Sequence, residues 1–140
     1  MALNHIAEQT PILFPAHPRA QKMMETFKIT LSQNITILPH LYFQESLFLW
    51  KDAALVMTDS GGLQKETTAL GVPCVTLREN AERSITIEMG TNILAGTNEE
   101  SILKAYKESI EKRGKNAVVP PKWDGRSSQR IRNIILNSKY

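Results

Sequence analysis

Short apolar runs alternate with longer amphipathic stretches along this chain. A short run of successive apolar residues is typical of a strand that is buried on both faces in a parallel sheet. Stretches whose apolar residues recur every three or four positions are typical of helices that cover such a sheet. Strands are predicted at residues 11–15, 35–38, 54–58, 74–77 and 91–95.

The stretches between these strands predict the helices. Pro18 suits the opening of one helix, where its missing N–H does no harm, and Gly90 suits the end of another. Because strands alternate with helices, we predict an α/β fold with a doubly wound, mostly parallel sheet that binds ligands at the carboxyl ends of its strands. Helices are predicted over residues 18–27, 43–50, 63–70, 99–112 and 127–136, with a short helix that follows residues 80–84 and ends at Met89.

The composition fits one ordinary domain. With 140 residues, of which 41% are hydrophobic and 22% charged, residues 1–140 are expected to form a single domain with its own core. The sequence has no apolar segment long enough to span a bilayer, and its first residues lack the features of a signal peptide, so we expect no membrane partner and a cytoplasmic location. The single cysteine, Cys74, lies in a predicted strand and is expected to be a small core residue.

The charge is distributed unevenly, although the net charge is only +3. Residues 104–140 hold ten of the 17 Lys and Arg residues and three acids. These basic residues are spread among apolar ones, as on the solvated face of a helix, and only Tyr106 and Trp123 lie nearby for stacking. Nucleic acid is therefore not an expected partner.

The most informative segment is Thr-Asp-Ser-Gly-Gly-Leu-Gln-Lys-Glu at residues 58–66, between a predicted strand and a helix. Gly61 and Gly62 permit a sharp turn and leave no Cβ between the backbone amides and a ligand. The free N–H groups and the positive end of the helix dipole favour an anion there. Ser60 can bond a phosphate oxygen and Glu66 can accept bonds from sugar hydroxyls, which together indicate a nucleotide site. The alternative is an ordinary turn with a well-capped helix and no ligand.

The segment at 58–66, with Leu-Gly-Val-Pro at 70–73 and Leu-Arg-Glu-Asn-Ala-Glu-Arg at 77–83, closely resembles the carboxyl-terminal half of non-hydrolysing UDP-N-acetylglucosamine 2-epimerases. So do Phe-Pro-Ala-His-Pro-Arg at 14–19, Gly-Thr-Asn at 90–92 and Trp-Asp-Gly at 123–125. The resemblance covers nearly the whole chain, in order and with compatible spacing.

The resemblance implies that this chain corresponds to the second of two Rossmann-like domains in the glycosyltransferase-B arrangement. This is the domain that binds UDP or UDP-N-acetylglucosamine. It places uracil against residues 38–46 and implies neither a cofactor nor a metal. Ser60, Gly61 and Gly62 would hold the diphosphate, Glu66 the ribose hydroxyls, and Arg83 and His17 would face the cleft near the phosphates.

The sequence departs from the family pattern in two motifs and around Ser46, where an aromatic residue that the family often carries near uracil is replaced. The family commonly has Glu where this chain has Lys65, and commonly Thr-Glu-Arg-Pro where this chain has Ala-Glu-Arg-Ser at 81–84. More importantly, the family's acid–base residues come from the first domain and from a histidine just before the region that this chain covers. We therefore expect no catalytic residue in this chain, which would bind UDP without turnover.

Each candidate also has a simpler interpretation. Glu66 can be a first-turn helix acid, His17 and His40 can bond the backbone of their loops, Arg83 can pair with Glu79 or Glu82, and residues 124–125 can form a turn. Three functions stay open: the UDP-binding half of a 2-epimerase, the donor-binding half of a glycosyltransferase, and a non-catalytic module. Such a module would pair with an N-terminal domain on another chain or with a second copy of itself.

Overall fold

The structure is a computed structural model that describes residues 1–112 and 118–138. Its helices and strands alternate after a first short helix. The helices are α1 (Ala2–Ala7), α2 (Pro18–Thr26), α3 (Phe43–Trp50), α4 (Gly61–Leu70), α5 (Ile85–Glu88), α6 (Glu99–Glu111) and α7 (Ser127–Asn137). The strands are β1 (Ile12–Pro15), β2 (Ile35–Leu38), β3 (Val56–Thr58), β4 (Cys74–Thr76) and β5 (Asn92–Leu94).

All the strand pairs are parallel, and they form two sheets. Strand β1 pairs with β2, with Ile12 opposite Ile35. The second sheet has the order β3-β4-β5, with Val56 opposite Cys74 and Cys74 opposite Asn92. The α/β class and the parallel pairing are confirmed, whereas the single continuous sheet that the sequence suggested is replaced by a pair and a triplet.

The hydrophobic core lies against the second sheet. Val75, Ala95 and Ala105 form its buried centre, and partly buried side chains surround them. By contrast, Leu13 of β1 and Ile37 of β2 are 52% and 46% exposed. The first sheet is tied to α6 by the packing of α1 against that helix and by a hydrogen bond of 2.8 Å between Thr10 Oγ1 and the Tyr106 hydroxyl.

Helices α3 and α7 carry large apolar side chains that stay exposed. Phe43 and Phe48 on α3 are 59% and 73% exposed, and Ile131, Ile134 and Ile135 on α7 are 57–66% exposed. Within the described part of the chain, no helix has the length and apolar character needed to cross a membrane.

The predicted helices and strands are all present within the described residues, with bounds that shift by a few residues. Helix α1 was missed, because its six residues are too few to show a periodic pattern. Helix α4 begins at Gly61 and so includes both glycines, which the sequence had placed in a turn. The loop predicted from residue 114 to 125 lies outside the described residues over its first part, 114–117.

Candidate nucleotide site at the start of helix α4

The strand β3 ends at Thr58, and α4 begins at Gly61, so two residues, Asp59 and Ser60, separate them. Ser60 occupies the N-cap position with an extended backbone, and its hydroxyl makes no capping bond. The Ser60 amide donates instead to Thr58 Oγ1 at 3.0 Å. Among the described residues, no hydrogen bond uses the amides of Gly61, Gly62 or Leu63. The start of α4 therefore presents three free N–H donors, an arrangement that favours an anion.

Neither glycine is required for its backbone conformation, and only Gly61 is required for space. Neither has a positive φ, unlike Gly71, Gly96 and Gly125. A Cβ on Gly61 would overlap the carboxylate of Glu82, whereas a Cβ on Gly62 would meet only Ser60 Oγ, at 3.6 Å. The sequence predicted that these glycines permit a sharp turn, whereas both lie within α4 in a backbone conformation that other residues can adopt. The absence of a side chain on Gly61 leaves room at the helix start for a close neighbour.

That neighbour is the segment of residues 78–83, which lies over the start of α4. Its Glu82 carboxylate stands beside Gly61 and pairs with Arg78 Nη1 at 2.6 Å. The same Arg78 nitrogen donates to the carbonyl of Asp59 at 3.5 Å. An internal carboxylate thus already occupies part of the space next to the glycines.

Arg83 is available for a ligand. Its expected partners are engaged elsewhere: Glu82 with Arg78, and Glu79 with the amide and the hydroxyl of Thr97, both at 3.0 Å. Within residues 1–112 and 118–138, no ion pair or side-chain hydrogen bond involves the Arg83 guanidinium, which is exposed. The simpler interpretation, in which Arg83 forms a surface ion pair with Glu79 or Glu82, is therefore wrong.

A buried chain of polar side chains fixes the backbone at Arg83. Thr76 Oγ1 donates to Asn92 Oδ1 at 2.7 Å, and Asn92 Nδ2 donates to Thr86 Oγ1 at 3.2 Å. The Thr86 hydroxyl and its amide both donate to the Arg83 carbonyl, at 2.8 and 3.0 Å. Asn92, one of these hydrogen-bonded residues, belongs to the Gly-Thr-Asn motif at 90–92, but the sequence does not indicate which residues are its partners.

His17 and His40 follow the two strands of the first sheet. Their rings meet edge to face, with centroids 6.0 Å apart. His17 Nδ1 accepts a hydrogen bond of 3.2 Å from the Arg19 amide and so caps α2. This is the backbone role that the sequence offered as the simpler alternative.

The predicted site residues are thus distributed over both sheets. Ser60, Gly61, Gly62 and Glu66 lie at the start and in the first turns of α4, after the second sheet, whereas His17 follows the first sheet. In the described part of the chain, no hydrogen bond or ion pair joins the Glu66 side chain to any other predicted site residue. The structure places Ser60, Gly61 and Gly62 together at the start of α4, with the Glu82 carboxylate beside Gly61, and leaves the roles predicted for Glu66 and Arg83 as expectations.

A shallow groove of about 450 Å³ lies along α3 and overlaps the region expected to receive uracil. It is predominantly apolar, and the Tyr42 amide at its edge is bonded to Glu45 Oε2 at 2.8 Å. A flat heterocycle can rest against such a surface. The groove is lined by Leu41, Gln44, Glu45, Phe48 and Leu49.

Two further predictions concern structural residues. Cys74 is fully buried, and this burial raises the pKa of its thiol to about 11 despite opposing hydrogen bonds from Thr67 and Thr76. The core role expected for Cys74 is confirmed. Asp124 pairs with Arg130, which lowers the pKa of the Asp124 carboxyl, and accepts a bond from the Arg126 amide, so residues 124–126 form a turn.

Comparison with known proteins identifies the family. The family model described as UDP-N-acetylglucosamine 2-epimerase matches residues 1–136. The chain is 41% identical, over 133 residues, to a UDP-N-acetylglucosamine 2-epimerase of Methanocaldococcus jannaschii, and this match covers 92% of the chain and 36% of the relative. It is 40% identical to the enzyme of the same name from Methanococcus maripaludis, with 99% of the chain and 39% of the relative covered.

Solved structures agree with this result. The crystal structure of the Methanocaldococcus jannaschii UDP-GlcNAc 2-epimerase in complex with UDP-GlcNAc and UDP superposes with a TM-score of 0.77 at 38% identity, covering 97% of this chain and 38% of that one. The chain therefore spans somewhat over a third of the length of the relatives that it matches. From the family model, the identities and the shared fold, this chain belongs to the UDP-N-acetylglucosamine 2-epimerase family.

Proposed function

We propose that this chain is the UDP-binding domain of a UDP-N-acetylglucosamine 2-epimerase, and that it binds UDP or UDP-N-acetylglucosamine at the start of α4 without turning it over. The observation that carries the proposal is the set of three amides at Gly61, Gly62 and Leu63, which have no hydrogen-bond partner among residues 1–112 and 118–138. These donors, with the positive end of the helix dipole, can accept a diphosphate. The relative that was solved with UDP-GlcNAc and UDP supports this choice of ligand.

The charged groups around α4 suit a diphosphate. Ser60 offers an unused hydroxyl, and Arg83 an unpaired guanidinium among the described residues. Arg78 is held by an exposed pair with Glu82, a type of contact that contributes little stability, and by a hydrogen bond of 3.5 Å to the Asp59 carbonyl. A diphosphate that displaces the Glu82 carboxylate would therefore find one arginine available and a second one released.

The chemistry of epimerisation at C2 requires more than this chain provides. Removal of the C2 proton needs a base within hydrogen-bond reach, and reprotonation needs an acid on the other face of the sugar. The departure of UDP needs donors that stabilise its growing negative charge. The start of α4 can supply the donors that stabilise departing UDP, but neither the base nor the acid. We propose that the acid and base come from the part of the family's length that this chain does not span, on another chain or in a longer protein.

Calorimetric titration with UDP, UDP-N-acetylglucosamine and GDP tests the proposal. We expect heat with both uridine ligands, weaker or no binding of GDP, and a loss of affinity in Ser60→Ala and Glu66→Gln. Ser127→Ala and Glu100→Gln serve as matched controls on other helices and should bind like the parent. Absence of heat with both uridine ligands would overturn the proposal. Interconversion of the two epimeric sugars by this chain alone would overturn its non-catalytic part.

The second candidate is a glycosyltransferase donor domain, which would use the same glycine-rich helix start. The family match over residues 1–136 supports the epimerase instead. A domain that pairs with another chain is compatible with the proposal, because the exposed apolar side chains of α3 and α7 offer a surface for such a partner.

A further inference from the structure

We infer that Asn92 and Thr86 are positioning residues, which hold the backbone of Arg83 so that its guanidinium stays at the diphosphate site. This inference rests on the proposed function. Neither side chain is exposed enough to touch a ligand, since Thr86 is 0% and Asn92 3% exposed. Their effect must therefore be transmitted through the hydrogen bonds that end at the Arg83 carbonyl.

The segment of residues 78–83 is exposed and irregular, and it is anchored at both ends. At its start, the Gly96 amide donates to the Arg78 carbonyl at 3.0 Å. At its end, the Arg83 carbonyl accepts from both the hydroxyl and the amide of Thr86. The Arg83 side chain is long and flexible, so it does not by itself restrict the position of the guanidinium. The main-chain position at this end therefore sets the region that the guanidinium can reach.

The buried amide of Asn92 sets the direction of the hydrogen bonds. Its oxygen accepts from Thr76, and its nitrogen donates to Thr86 Oγ1, so that the hydroxyl hydrogen of Thr86 remains directed at the Arg83 carbonyl. An aspartate of the same shape would accept from Thr76 but could not donate to Thr86. The Thr86 hydroxyl would then turn toward the carboxylate, and the Arg83 carbonyl would lose this partner.

The backbone at Ser84, directly after Arg83, shows why this anchor matters. Ser84 has φ −53°, a value that a proline ring would enforce. Serine has no such ring and leaves φ free to rotate. The two hydrogen bonds from Thr86 to the Arg83 carbonyl supply a restraint that the side chain of residue 84 does not.

Two measurements test the inference, and the first needs no nucleotide. Trypsin can cleave after Arg83, since serine follows it. In the free chain, Thr86→Val and Asn92→Asp should be cut faster after Arg83 than the parent, while cleavage after Lys22 in α2 stays unchanged. Thr86→Ser keeps the hydroxyl and should restore the parent rate. Equal cleavage after Arg83 in the parent and in both variants would overturn the inference.

The second measurement is a double-mutant cycle on UDP affinity. Thr86→Val should weaken UDP binding by about two- to tenfold, the equivalent of one net hydrogen bond. In an Arg83→Ala background, the same substitution should have no further effect, because the side chain through which it acts is gone. Thr67→Val provides a matched control: its hydroxyl is buried but donates to the Leu63 carbonyl within α4.

The outcomes separate this inference from the proposed function. Additive losses in Thr86→Val and Arg83→Ala would overturn the positioning role, as would an equal loss of affinity in Thr67→Val. A parent chain that binds no UDP would overturn the proposed function, and with it the assignment of Arg83 to a diphosphate. The cleavage experiment would still decide whether Thr86 and Asn92 hold the segment in place.

Discussion

The substitution Gly62→Ala should change stability and nucleotide affinity in opposite directions. Gly62 occupies the second position of α4, and a Cβ there would meet only Ser60 Oγ, at an ordinary contact distance of 3.6 Å. Its φ is not positive, so alanine can adopt the same backbone. Replacing glycine at a compatible position lowers the entropy of the unfolded chain and stabilises a protein by about 0.4–1 kcal/mol. For a domain of this size, that corresponds to a rise in Tm of about 1–3 °C.

The same methyl group would occupy the space that a phosphate oxygen needs over the free amides. The loss of one hydrogen bond to a charged group costs about 1.5–3 kcal/mol, which corresponds to a fall in UDP affinity of about 10- to 150-fold. Because the fold is predicted to be stabilised, this loss could not be ascribed to unfolding.

Calorimetric titration with UDP and thermal unfolding followed by circular dichroism measure the two effects on the same sample. Ser128→Ala, at the second position of α7, is the matched control and should leave UDP affinity unchanged. A Gly62→Ala variant that keeps parental UDP affinity would show that no phosphate lies against this amide. A Tm that falls by several degrees would refute the steric reasoning.

Three further predictions concern other residues. Glu82→Gln should strengthen UDP binding by up to about fivefold in low salt, because it removes a carboxylate beside Gly61 that is held only by an exposed ion pair; weaker binding would indicate a favourable role for Glu82. The free energy of unfolding should fall between pH 9 and 11 by about 2–3 kcal/mol, since the pKa of buried Cys74 rises from 9.0 to about 11 and the unfolded chain loses this proton first. Denaturant titrations at pH 8 and pH 11 test this, and Cys74→Ala should lack the difference. Gly90→Ala should destabilise the domain by about 1–3 kcal/mol, because its Cβ would lie 2.6 Å from the Thr86 carbonyl oxygen; an unchanged Tm would contradict this.

The order of helices and strands could be predicted because each leaves a local pattern. The apolar run before Thr58 and the periodic spacing of Ile102, Tyr106 and Ile110 depend only on neighbouring residues. The residue at which α4 begins was harder to predict, since glycine has low helix propensity and two glycines in succession indicate a turn. The close approach of the Glu82 carboxylate, rather than backbone conformation, explains the presence of Gly61.

The division into two sheets and the anchoring of Arg83 could not be predicted from one sequence. Both depend on contacts between residues that are distant along the chain or whose partners have no fixed spacing. The Asn92 amide bridges hydroxyls 16 residues before it and 6 before it, and each of these threonines is unremarkable in its own segment. For the same reason, the sequence left open a surface pair of Arg83 with Glu79 or Glu82, although the Glu82 carboxylate turns to Arg78.

The separation of the two sheets has a consequence for how the molecule opens. Strand β4 is central in its sheet and fully buried, whereas the first sheet has only two strands, with half-exposed Leu13 and Ile37. Amide protons of β1 and β2 should exchange with deuterium through sub-global fluctuations, while those of β4 wait for complete unfolding. His17 and His40 therefore follow strands whose amides exchange with deuterium more readily, whereas the glycine-rich helix start follows the better protected second sheet.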